Sequence, residues 1–86
     1  MYGRVSAITQ PETGENERGK WTKQTIVLES FEMPKYEIAF EAMNDRTNQI
    51  AMMKVGQAAC AKGSVTSREY EGKWYTRVNL WEVKPI

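Results

Sequence analysis

At 86 residues and a formal net charge of +1, the chain has room for one domain around one core, and its near-balanced charge argues against indiscriminate binding to polyanions. Its 41% apolar and 27% charged content excludes wholesale disorder. No run approaches the roughly 20 apolar residues that cross a bilayer, and the opening "MYGRVSAITQ" lacks a signal-peptide core, so a cytoplasmic protein without membrane contact is expected.

Five strands and one helix are predicted in chain order. "YGRVSAIT" (Tyr2 to Thr9) reads as the first strand, and "QPETGENERGK" (Gln10 to Lys20) as a mobile, polar hairpin connection. "WTKQTIVLES" (Trp21 to Ser30) is rich in β-branched residues. Its alternation places Thr22, Gln24, Ile26 and Leu28 on the core side, with Trp21, Lys23, Thr25, Val27 and Glu29 outward. After a turn at Glu32 to Lys35, "YEIAFEAM" turns Ile38, Phe40 and Ala42 inward and Glu37, Ala39, Glu41 and Met43 outward. "NDRTNQIAMMKVG" then changes period to a short helix, capped by Asn44 or Asp45, burying Ile50 and Met53 and ending by Gly56. Strand returns at Ala58.

The last two strands can be registered. A two-residue turn at Glu71 and Gly72 sets Tyr70 opposite Lys73. One face then carries Val65 with Val78, Gly63 with Leu80, and Trp74 as a core residue beside them. The other carries Lys62 with Trp81, Ser64 with Asn79, Thr66 with Arg77 and Arg68 with Tyr75. Small Ala59, Ala61 and Gly63 against large Leu80 and Trp74 is the packing that fills a tight barrel.

This order predicts an all-β protein with one short helix: a single domain over residues 1–86, built as a five-stranded Greek-key OB-fold barrel with the helix between strands three and four. An SH3-like barrel has no comparable place for the helix. The segments "WTKQTIVLE", the "VG" before strand four and "SREYEGKWYTRVNLWEV" also resemble a family of small, uncharacterised bacterial proteins with a single-stranded-DNA-binding-like OB-fold. That resemblance implies the same fold and, through it, a role with single strands. Family members typically carry larger apolar residues where this chain has Ala59, Ala61 and Gly63.

Catalysis is hard to assemble. There is no histidine, Glu12, Glu15 and Glu17 fall on the predicted loop, and no serine or threonine sits in a nucleophile or phosphate-cradling motif. A non-enzyme without metal or cofactor is expected, because a zinc site would need more than the single Cys60, which reads as a small packed side chain. Single-strand binding needs π-faces for bases and cations for phosphates, which OB-folds supply from strands two and three and the loops between strands one and two and strands four and five. Those places hold Arg18, Lys20, Trp21 and Lys23, then Arg68, Tyr70, Lys73, Tyr75 and Arg77. Trp21 is the base-stacking candidate, acting with the hairpin tip across the barrel mouth, while Arg68 and Tyr75 can instead form a cation–π pair. Outward Glu29, Glu37 and Glu41 would repel phosphates and shift the expected contact toward the loops. The expected partner is thus single-stranded DNA or RNA. The alternative is a protein-interaction or homo-oligomeric assembly subunit using outward Trp81 and Tyr75 or Val27 and Met43.

Overall fold

The computed structural model, which describes residues 1–86, has six strands. They are β1 (Tyr2–Ile8), β2 (Glu12–Asn16), β3 (Gly19–Ser30), β4 (Glu37–Met43), β5 (Ala58–Tyr70) and β6 (Lys73–Pro85). Five close into a ring, because β1 pairs with both β3 and β5, β5 with β6, β6 with β4 and β4 with β3. Only the β4–β6 pairing is parallel. The connectivity is that of the OB-fold, as expected. The inward faces of β3 and β4 supply Ile26, Leu28, Phe40 and Ala42 to the core, joined by Val5, Leu80 and Val83.

The sixth strand is an addition to the prediction. Glu12–Asn16 is not a loop but pairs antiparallel with the first half of β3, from Glu12 opposite Lys23 to Asn16 opposite Gly19. The turn between them is fastened by the Arg18 backbone N–H donating to Asn16 Oδ1 at 2.9 Å. The edge of β3 beyond β1 would otherwise leave its backbone groups without partners, and this short polar segment pairs with them.

Between β4 and β5 lie a 3₁₀ turn (Asn44–Arg46) and α1 (Thr47–Ala51). Ile50 and Met53 enter the core as expected, but Met52 is exposed. Neither Asn44 nor Asp45 caps a helix. Asn44 Oδ1 instead accepts from the Thr22 N–H at 3.1 Å, tying the helical segment to β3.

The Glu71–Gly72 turn is as predicted, with positive φ at both residues (50° and 79°), the geometry that matches the twist of a two-residue hairpin. The expected register holds from Tyr70 opposite Lys73 to Gly63 opposite Leu80 and then slips. Lys62 faces Glu82 rather than Trp81, so Trp81 is the extra residue of a β-bulge. The bulge lets Leu80 and Val83, three apart, both point inward. It also brings the backbones so close that a Cβ on Gly63 would collide with the Asn79 carbonyl, which accounts for a glycine where larger residues were expected from the resemblance.

Trp74 is not core. It is 69% exposed, as is Val65 at 68%, although both have the parity of buried Leu80. Strands of 13 residues span about 43 Å, whereas β6 meets β4 only at Phe40–Val78 and Glu41–Asn79. The distal half of the hairpin therefore projects beyond the barrel, and its inward-parity face has nothing to pack against. Leu80→Ala is accordingly expected to lower unfolding free energy by about 2–5 kcal/mol and Trp74→Ala by no more than about 0.5 kcal/mol, as measured by urea denaturation.

Candidate functional site

The curl of the long hairpin over the outer face of β3 and β4 makes an open groove of about 720 Å³, lined by Thr25, Ala39 and Glu41 on one side and by Arg68, Tyr70, Tyr75 and Arg77 on the other. Parity explains the assembly. Thr25 pairs with Glu41, Glu41 with Asn79, and Arg68 with Tyr75, and paired residues share a face. A second hollow of about 310 Å³ continues past Glu41 and Asn79 to Met43, Arg46 and Trp81. Glu41 lines both.

Of the nine residues selected from sequence, Arg68, Tyr70, Tyr75 and Arg77 come together in the larger groove. Lys23 joins them indirectly, its Nζ 3.4 Å from Glu41 Oε1. Lys73 stays at the exposed tip opposite Tyr70. Trp21 shares the outer face but lines neither hollow. Its indole lies against Gly14 of β2, where a Cβ would overlap the ring. Trp21 thus lies outside the groove that Tyr70, Tyr75 and the neighbouring cations line. Lys20, opposite Glu15, alternates with Trp21 and faces the other way, and Arg18 sits in the β2–β3 turn. Arg68 and Tyr75 are opposed without a cation–π contact, which is made instead by Arg4 over Phe31, 5.7 Å from the ring centroid.

The outward carboxylates are individually matched. Glu29 pairs with Lys35 Nζ at 3.3 Å, and Glu37 accepts from Ser6 Oγ at 2.7 Å. Glu41 is held between Lys23 and Arg77, whose Nε lies 2.6 Å from Oε2. Only Glu41 lies in the grooves, where it faces four cations: Lys23, Arg46, Arg68 and Arg77. The surface can thus offer two phenol rings, an indole and a net positive field to a flexible anionic ligand.

Arg46 in this lining was not selected from sequence, and Trp81 was read there as a contact for protein rather than ligand. What seats them is a set of bonds from the helical segment to the bulge. Gln49 Nε2 donates to the Trp81 carbonyl at 3.1 Å, the Val83 N–H donates to Gln49 Oε1 at 2.8 Å, and Arg46 Nη1 donates to the Leu80 carbonyl at 3.3 Å. A polar run after a strand carries no mark of such a clamp.

An OB-fold with an aromatic and basic groove on its outer sheet face is thus the class that the structure defines. The chain belongs to the family described as a domain of unknown function (DUF3127), which matches residues 1–84. No curated protein matches it in sequence. Among solved structures it is similar to the wild-type single-stranded DNA binding protein from Thermus aquaticus, with TM-score 0.71 and 14% identity over 99% of this chain and 47% of that one. A deletion mutant of the same protein gives TM-score 0.64 at the same identity and coverage. The small single-stranded DNA-binding protein from Streptomyces coelicolor gives TM-score 0.59 and 14% identity over 99% of this chain and 87% of that one. The chain thus spans about half the length of the Thermus protein. At this identity the likeness establishes the fold.

The Gln49 clamp has a measurable consequence. Gln49→Ala leaves the Val83 N–H of a buried strand residue without its partner and is expected to cost about 1–3 kcal/mol in urea unfolding, whereas Asn48→Ala, on the exposed side of the same helix, is expected to cost no more than about 0.5 kcal/mol.

Proposed function

We propose that the protein is a non-catalytic module that binds single-stranded nucleic acid, DNA in the first instance, with low sequence preference, in the bacterial cytoplasm. The observation that carries this reading is the convergence of Arg68, Tyr70, Tyr75 and Arg77 in one groove. Stacking accepts any base, because every base has a π-face, and cations along the same path meet the phosphates. Trp81 and Arg46 extend the path beyond Glu41, and Trp21, Lys23 and Lys73 flank it, with Lys20 and Arg18 on the adjoining β2–β3 hairpin. The similarity to single-stranded DNA binding proteins supports the reading through the fold. Two or three stacked bases at about 1–3 kcal/mol each, with some phosphate help, reach micromolar affinity (about −8 kcal/mol).

A second reading, a homo-oligomeric or protein-binding subunit, is favoured by one observation: Trp74 and Val65 are exposed together on the back of the hairpin. A mass in solution that stays monomeric over a wide concentration range counts against its self-assembly form. The readings are compatible, since the groove and the back of the hairpin are opposite faces.

Titration of labelled oligo-dT and oligo-U at two salt concentrations tests the leading reading. Three to four phosphate contacts on a single strand give a log–log salt slope between about −2 and −3. Tyr75→Ala is expected to weaken binding about 5- to 100-fold without loss of folding. Absence of binding at about 50 µM protein in low salt, far above a micromolar Kd, refutes it.

A further inference from the structure

We infer that Glu41 is an internal competitor for phosphate: it occupies the two cations at the centre of the groove, and a bound strand must displace it. The inference rests on the nucleic-acid reading above and names the residue that sets its affinity.

Glu41 stands on β4 where the two hollows meet and is the one residue on β4 that lines both. Its side chain is only 22% exposed, and its two oxygens are divided between Arg77 at 2.6 Å and Lys23 at 3.4 Å. The contact with Arg77 has the short length of a charge-assisted hydrogen bond. A strand stacked on Tyr70 and Tyr75 and continuing toward Trp81 has to cross this point. There its phosphates meet a carboxylate, and both neighbouring cations are already paired. Arg68 and Arg46, at the two ends, make no ion pair with any carboxylate. The groove therefore offers unpaired cations to phosphates at its ends, whereas in its middle two cations share one carboxylate and their field is partly cancelled. Glu29 and Glu37 have their own partners and lie outside the lining, so the effect belongs to one residue. An internal carboxylate of this kind lowers affinity without removing the stacking surfaces.

Glu41→Gln keeps the shape and deletes the charge, releasing Lys23 and Arg77. If both then contact phosphate, the salt slope steepens by about 1.4, and binding at low salt tightens by about tenfold, the gain shrinking as salt rises. The same substitution in a Lys23→Gln/Arg77→Gln background is expected to give no gain, because no cations remain to be released. The measurement is fluorescence anisotropy with labelled oligo-dT for the natural chain, E41Q, K23Q/R77Q and the triple variant, each checked for cooperative thermal unfolding. Tighter, more salt-sensitive binding by E41Q than by the natural chain, with the gain absent from the triple variant, supports the inference; binding by E41Q alone overturns the functional reading and the inference with it. Unchanged or weaker binding by E41Q, with the natural chain binding, overturns the inference and leaves the function standing. A gain that persists in the triple variant also overturns it, since Glu41 would then act through its field alone. No binding by any variant overturns both.

Discussion

The bulge at Trp81 is the constraint from which the shape of the groove follows. Below it, β6 contributes Val83 to the barrel interior; above it, Leu80 does the same, and two inward residues three apart demand one extra residue between them. Gln49 makes the arrangement affordable to the backbone by bonding the carbonyl of the extra residue and the N–H of Val83, while Arg46 bonds the Leu80 carbonyl before it. The helical segment thus has two jobs. Ile50 and Met53 fill the core, and Gln49 with Arg46 holds the irregular part of β6 in register. Without the bulge, the upper half of β6 would exchange faces, and Tyr75 and Arg77 would leave the groove.

Length is the second determinant. Only the barrel-proximal half of the β5–β6 hairpin has a partner sheet, and the rest projects, consistent with a molecule 40 Å long and 18 Å thick. Projection exposes both faces of the tip. One becomes the wall of a groove, and the other leaves Trp74 and Val65 in solvent. The same distance from the core that makes these residues available for contact makes them unimportant for stability.

Charge is managed by local pairing. Three carboxylates on the outer faces of β3 and β4 would make that sheet repellent to nucleic acid, yet each is matched by a neighbour from another element: Lys35, Ser6, or Lys23 with Arg77. The electrostatics within the grooves is then set by their cations and by the single carboxylate placed where they join, while Glu37, bonded to a neutral hydroxyl, keeps its charge outside them. The net charge of +1 could not reveal which charges cancel.

Period-2 alternation in β3 and β4 was enough to name Ile26, Leu28, Phe40 and Ala42 as core, because both strands keep one face to the barrel interior. The order of elements and the Glu71–Gly72 turn were enough for the OB-fold and for most of the hairpin register. The same alternation misplaced Trp74, since parity states which face a residue is on and not whether anything covers that face. It also missed β2, whose polar residues are recruited by an unpaired edge of β3, and the bulge, which needs the side chain of Gln49 from a separate element. Sequence by itself therefore determined the barrel, because burial on one face repeats locally along each strand. Tertiary structure alone decided the groove, because the pairing of Glu41 with Arg77 and Lys23, the turning of Trp81 and the projection of Trp74 all depend on where distant segments meet.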